Sequence, residues 1–156
     1  MKKTVLALCL ILLMSAPSFA KKIIGKVTNV LDGDTIIVTA HGKTGYKIRL
    51  YGIYTPDMAQ DYGPEAKHEA ELICLGKVVK VEVIRKDSLG SLVANVYTQD
   101  GTFVNEHMIA TGYAWYYKKH LKDKRFALLE ETARDGKLGL WAGRKPVPPW
   151  NFRGGK

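Results

Sequence analysis

The chain has 156 residues, 46% of them apolar, and a formal net charge of +9, which suits one domain and is too short for several. Two cysteines are too few for a disulfide-built scaffold. The basic balance argues against an acidic surface and points to a polyanionic partner: nucleic acid, an acidic polysaccharide or an anionic envelope surface.

Residues 1–20 read as a segment apart from that domain. Met1-Lys2-Lys3 is a basic start, residues 4–14 are an apolar run, and Ser18-Phe19-Ala20 offers small residues for cleavage after Ala20. The run is shorter than the roughly 20 residues a spanning helix needs. A signal peptide over 1–20 is therefore expected, with 21–156 as a single domain, periplasmic or secreted, and no stable membrane span after cleavage. Leu6-Ala7-Leu8 before Cys9 fits a lipobox poorly. Cys74 is then the only cysteine of 21–156, so no intramolecular disulfide can form. Beside Ile73 and four residues after Ala70, it is expected on the inner face of a helix as a buried, inert thiol.

Residues 23–30 and 35–40 carry the Val, Ile and Thr of strands. His41-Gly42-Lys43-Thr44-Gly45 is a turn. A third strand is expected over 46–53, with Ile48 and Leu50 on one face and Lys47 and Arg49 on the other. Gly63-Pro64-Glu65 opens a helix with proline in its first turn, and Gly76 ends it. Residues 78–84 and 92–98 alternate as strands, the second closed by a Gln99-Asp100-Gly101 turn. A short helix follows over 104–111, capped by Gly112. A longer one runs over 122–135, with Phe126, Leu129 and Ala133 at helical spacing. Residues 146–150, rich in proline, are expected to be extended. Five strands with a helix after the third and two helices to follow suit a small α+β fold built on a five-stranded OB-type β-barrel, a form that often presents a face to nucleic acid or sugars.

Two segments carry chemistry. Leu31-Asp32-Gly33-Asp34-Thr35 and Ile48-Arg49-Leu50-Tyr51-Gly52-Ile53-Tyr54-Thr55-Pro56-Asp57 together resemble the D-G-D-T and R-L-x-x-I/V-D-x-P-E stretches of the staphylococcal nuclease (thermonuclease) family. Tyr62-Gly63-Pro64-Glu65-Ala66, Val104-Asn105-Glu106, Gly112-Tyr113-Ala114-Trp115, Gly139-Leu140-Trp141 and Pro149-Trp150-Asn151-Phe152-Arg153 are similar to further motifs of that family, in the same order. The resemblance covers nearly all of 21–156. It implies an OB-type barrel with three helices and hydrolysis of phosphodiesters. Calcium would be held by two aspartates and a threonine carbonyl, a glutamate would act on the water, and two arginines would clamp the phosphate. Fold alone does not establish function.

By the resemblance, Asp34 matches the first metal aspartate, Asp32 its neighbouring acid, Thr55 the carbonyl donor and Arg49 the first arginine. Asp-Gly is also ordinary turn chemistry, and Arg49 could be a solvated strand charge. Three positions depart from the pattern. Tyr54 stands in place of the second metal aspartate, and a phenol carries no charge at neutral pH. Asp57 stands for the glutamate, one methylene shorter, and a misplacement of about 1 Å can cost on the order of 10²-fold. Asp87-Ser88-Leu89-Gly90-Ser91 puts Ser91 where the second arginine belongs, and arginines on transferring phosphoryl groups are worth roughly 10³–10⁵ in rate. Asp57 or Asp61 turning to the metal, and Arg85 or Lys86 lending a cation, would be ways to rebuild the site.

Tyr113-Ala114-Trp115-Tyr116-Tyr117-Lys118-Lys119-His120 interleaves rings with charge, which suits single-stranded nucleic acid. Tyr113 and Trp115 are expected as core members. Tyr116 and Tyr117 with Lys118, Lys119, Lys122 and Lys124 are expected to touch the polyanion. His68 and His107 read as helix-surface residues, and no zinc-like Cys/His spacing occurs. Three readings follow. One is a degenerate nuclease that keeps a basic face for single-stranded DNA, RNA or another polyanion. Another is an active metal-dependent endonuclease, using calcium at an altered site. The last is a binder of an acidic polysaccharide or envelope partner. A monomer is expected in each.

Overall fold

The computed structural model describes residues 21–40, 42, 45–143 and 145–154. The expected signal peptide over 1–20 lies outside the described residues, as do His41, Lys43 and Thr44 of the expected turn. The elements are β1 (Lys22–Asp32), β2 (Thr35–Thr39), β3 (Tyr46–Leu50), β4 (Ile53–Tyr54), α1 (Gly63–Cys74), β5 (Val78–Lys86), β6 (Leu92–Thr98), α2 (Val104–Ala110), β7 (Trp115–Tyr116), α3 (Lys124–Asp135), a 3-10 turn (Gly139–Ala142) and α4 (Pro149–Gly154).

β1, β2, β3, β6 and β5 close in that order into a barrel. All neighbours are antiparallel except β3 and β6, which run parallel. Alternation makes the core: Val27, Val30, Ile36, Val38, Ile48, Leu50, Val79, Val81, Ala94 and Val96 point inward and are buried. Ala66, Ala70 and Cys74 form the buried stripe of α1. Burial pushes the Cys74 thiol up to about 12, as expected for an inert core cysteine. Asn105 at the start of α2 is buried and satisfied. Its Oδ1 accepts from Val96 N–H at 3.1 Å, and its Nδ2 donates to the carbonyls of Tyr51 (3.0 Å) and Ala94 (3.2 Å). Asp123 caps α3, accepting from Arg125 N–H at 2.7 Å. A second, smaller core gathers Trp115, Ala133, Leu140 and Trp141 beside the barrel. No helix among the described residues is long and apolar enough to cross a membrane.

Three expected elements are corrected. The third strand leaves the barrel after Leu50, because Tyr51-Gly52 turns the chain with Gly52 at φ 78°. Ile53 and Tyr54 then pair with Tyr116 and Trp115 as a separate two-stranded ribbon. The long helix starts at Lys124, not at 122, since its cap is Asp123. The proline-rich tail is not extended throughout: Pro149 opens α4, and Asn151 and Phe152 N–H donate back to the Pro148 carbonyl.

Candidate functional site

The β1–β2 turn, the end of β3 and the β4 ribbon meet at one pole of the barrel. Asp34 N–H donates to Asp32 Oδ1 at 3.0 Å, so Asp32 closes the turn that precedes it. Gly33 is needed there, because a Cβ would stand 2.8 Å from Thr55 Cγ2. The turn delivers Asp34 into the interior, 3% exposed. Its Oδ1 accepts from the Thr35 hydroxyl at 2.9 Å and its Oδ2 from Thr55 N–H at 3.0 Å. Two segments far apart in the chain thus meet on one carboxylate. Burial pushes that carboxyl up to about 6, and Asp32 adds to the rise. Arg49, the Thr55 N–H and the Thr35 hydroxyl pull it back.

Arg49 pairs in register with Thr35 on the neighbouring strand, which sets it beside Asp34. Its Nε is 3.8 Å from Asp34 Oδ1, an ion pair too long for a hydrogen bond. Its Cζ lies 4.5 Å from the centre of the Tyr54 ring. Because the Gly52 turn peels β4 off the barrel, Tyr54 also meets Tyr117 at 4.7 Å and Trp150 at 6.0 Å between ring centres. The residue in the place of a metal carboxylate is therefore a wall of an aromatic cluster, with a guanidinium on its face.

Of the other expected site residues, Thr55 joins Asp34 and the rest serve other turns and clefts. Thr55 is buried beside Asp34. Asp57 begins the loop to α1, where its N–H donates to Gln60 Oε1 at 2.8 Å. Asp61 lines a different cleft, with Tyr62 and Gly143. Ser91 is buried and serves the β5–β6 turn: its N–H donates to Asp87 Oδ1 at 2.8 Å, and Leu89 N–H shares that oxygen at 3.0 Å. Arg85 lines a small cleft with Arg49, Tyr54, Val93 and His120. Partial burial, then the positive charges of Arg85 and Arg49, lower the His120 pKa.

Calcium needs about 6–8 oxygens around it. Here Asp34 accepts one hydrogen bond on each oxygen and Asp32 one from the turn, which leaves lone pairs on both carboxylates, while Tyr54 presents a ring. Among the described residues no three His, Cys, Asp or Glu side chains converge to hold a metal ion. Of the ligands that the resemblance implies for calcium, Asp34 and Thr55 stand together and the second carboxylate is missing, because Tyr54 occupies its place.

Lys118, Lys119 and Lys122 on the loop after β7 and Lys124 at the start of α3 are all exposed. With Trp115, Tyr117, Arg134 and Trp150, the first two border a cavity of about 490 Å³. Tyr116 departs from expectation. It is 6% exposed in the barrel core. Its hydroxyl donates to the Leu121 carbonyl and accepts from Asp123 N–H at 2.8 Å. Tyr51 grips the same loop, donating to the His120 carbonyl at 2.6 Å. Tyr116 therefore anchors the lysine loop and also lines that cavity. Trp115 is buried and Tyr113 packs partly buried on the barrel core, as expected. Of the expected surface histidines, His68 is exposed, while His107 pairs with Glu69 at 2.6 Å. Arg134 was not singled out from the sequence, yet it stacks 3.7 Å from the Trp141 ring centre and bonds Glu130 at 3.1 Å. The i,i+4 spacing of Glu130 and Arg134 is the signal that could have found it.

The family model described as Staphylococcal nuclease homologue matches residues 47–143. The chain is 38% identical over 141 residues to an "Uncharacterized endonuclease" of Escherichia coli O157:H7, covering 90% of this chain and 92% of that one. It is 41% identical over 108 residues to a "Probable staphylococcal-like nuclease CAN1" of Oryza sativa subsp. japonica, covering 69% of this chain and 32% of that one. To the "Staphylococcal-like nuclease CAN1" of Arabidopsis thaliana it is 39% identical over 111 residues, 71% of this chain and 34% of that one. It thus spans about a third of each plant protein.

Proposed function

The chain belongs to the staphylococcal nuclease homologue family, and from that premise we propose that it is an exported member that holds single-stranded DNA or RNA by its phosphates and hydrolyses it slowly or not at all. One observation carries this reading: Tyr54 packs against Arg49 at 4.5 Å where the family pattern has a carboxylate. The site is left with Asp34 and Asp32 on the β1–β2 turn and has no carboxylate from β4. Loss of one group that stabilises developing charge typically costs on the order of 10²–10³ in rate. Binding needs less. Exposed lysines beside Tyr117 and Trp150, and a cationic cleft at Arg49, supply attraction to phosphates and faces for bases. Export rests on the basic and apolar character of residues 1–20.

The test incubates purified protein with single-stranded DNA and RNA in calcium, magnesium, manganese or EDTA, beside Asp34→Ala. Salt-sensitive binding without metal-stimulated cleavage is expected. Cleavage that needs metal and disappears in Asp34→Ala would overturn the reading. A second reading, an active endonuclease with a rebuilt site, is favoured by the retained Asp34 and Arg49 and by the name of the Escherichia coli relative. Equal affinity for an acidic polysaccharide would instead remove nucleic acid as the preferred ligand.

A further inference from the structure

The C-terminal segment runs back across the molecule and is fastened by a buried amide. Gln60, 9% exposed, accepts from Asp57 N–H at 2.8 Å through Oε1 and donates to the Val147 carbonyl at 3.0 Å through Nε2. It ties the loop after β4 to the tail. Pro149 then opens α4, whose first turn closes on the Pro148 carbonyl. Trp150 thereby lands beside rings from two other segments: Tyr117 at 5.2 Å, Trp115 at 5.9 Å and Tyr54 at 6.0 Å between ring centres. None of these lies flat on it, since the planes meet at 56°, 70° and 75°. Tyr97 and Phe103, by contrast, stack at 16° and cover each other's faces. Trp150 is braced by inclined neighbours and remains 38% exposed, an aromatic face held in place and open to solvent.

That ring borders the cavity of about 490 Å³ that Trp115, Tyr116 and Tyr117 also line, a size within the range of about 300–1,000 Å³ usual for ligand clefts. The charged groups there are mostly positive. Lys118 and Lys119 are exposed and enter no ion pair among the described residues. Arg134 shares the rim, bonded to Glu130 at 3.1 Å and set over the Trp141 ring. One carboxylate against three cations leaves the cavity net positive. A cationic ligand, the usual guest of clustered rings, is therefore disfavoured. An anion with flat faces fits, with rings for the faces and ammonium groups for the charge. A nucleotide joins both parts, a planar base and a phosphate beside it. Paired bases in a duplex keep their faces stacked on one another, so the cavity suits a single strand.

We propose that Trp150 is the stacking platform of a nucleobase subsite in this cavity, with Lys118 and Lys119 taking the adjoining phosphate. The subsite rests on the reading that the ligand is single-stranded nucleic acid, and adds that bases are held as well as phosphates. It is separate from the cleft lined by Arg49, which Trp150 and both lysines do not border. Tyr54 stands between the two: its ring carries Arg49 and meets Tyr117 at 4.7 Å and Trp150. The ring that displaces a carboxylate from one site thus braces the wall of the other.

An oligothymidylate, its abasic counterpart (sugars and phosphates without bases) and polygalacturonate, compared at one salt concentration, separate the two ideas. The parent should bind the base-bearing strand about tenfold tighter than the abasic one. Trp150→Ala should abolish that preference and leave the abasic affinity unchanged, while Trp150→Phe keeps part of it. Lys118→Gln combined with Lys119→Gln should weaken both strands together. Fluorine-19 spectra of 5-fluorotryptophan protein, which has three tryptophans, give a readout that needs no destabilising variant. The Trp150 signal should move with the base-bearing strand and stay in place with the abasic one. Equal affinity of the parent for the two strands, or a Trp150→Ala protein that keeps the preference, overturns the subsite and leaves nucleic acid held by its phosphates. Binding of polygalacturonate alone, with neither strand held, overturns the subsite and the nucleic-acid reading together.

Discussion

Two places in this protein combine the same three parts: a buried carboxylate, an arginine and aromatic rings. At the helical pole, Glu130 and Arg134 are one turn apart on α3 and bond at 3.1 Å, with the guanidinium on Trp141 and Trp115. At the barrel pole, Asp34 and Arg49 come from different strands, 3.8 Å apart, with the guanidinium on Tyr54. In the first, the guanidinium bonds its carboxylate directly, and the same residue borders the lysine-lined cavity. In the second, the hydroxyl of Thr35 and the N–H of Thr55 take the carboxylate, so Arg49 keeps donors to spare. The same ingredients make a direct hydrogen-bonded pair within one helix in one place and a longer ion pair between separate segments in the other.

Trp141→Ala should separate the poles most sharply. Removing a large buried ring costs about 3–5 kcal/mol, so the urea midpoint should drop steeply while any folded fraction keeps its phosphate affinity. An unchanged midpoint would remove the structural role of the helical pole. Tyr54→Asp addresses the other pole. It returns a carboxylate beside Asp34 and should raise calcium-stimulated cleavage on the order of 10²-fold, measured as oligonucleotide turnover. No gain would place the main deficit at Ser91 or Asp57.

The arginines themselves should behave as opposites. Arg134→Ala is expected to cost about 1–2 kcal/mol of stability, a hydrogen bond to a charged group discounted for exposure, with affinity for inorganic phosphate at Arg49 intact. Arg49→Ala should cost about tenfold in phosphate affinity with little loss of stability. A swap of those two outcomes would reverse the assignment of the poles.

The last expected effect is a pH profile. Folding raises the Asp34 carboxyl from 3.8 to about 6, so the folded state binds that proton more tightly than the unfolded chain. Below about pH 4 both states carry it and there is no penalty. Between 4 and 6 the unfolded state releases it first, stability falls, and above 6 the penalty is complete. Asp34→Asn should flatten this decline, read as urea midpoints from pH 4 to 8. A parallel profile in parent and variant would mean that the carboxylate is not strained by burial.

Much of the fold was legible in advance. Val, Ile and Thr at alternate positions mark the barrel strands, and β6 runs from Leu92 to Thr98 as expected. Asp34, Thr55 and Arg49 were legible as a site because their motifs match a family pattern, and the fold does bring them together. The depth of Tyr116 was not legible, since a ring in a run of tyrosines and lysines looks the same whether it faces the core or the solvent. Its burial depends on the β4–β7 pairing, a contact between segments more than sixty residues apart.

Side-chain period, turn chemistry and charge are local properties, and they carried the family, the barrel and the basic character directly from the residues. Three features came only with the folded chain. Gly52 turns Tyr54 off the barrel and under Arg49, a bulge at Ile84 in β5 sets Arg85 opposite Val93, and Asp87 ties Ser91 into a hairpin. Each depends on the register of one strand against another, and register is a relation between distant segments.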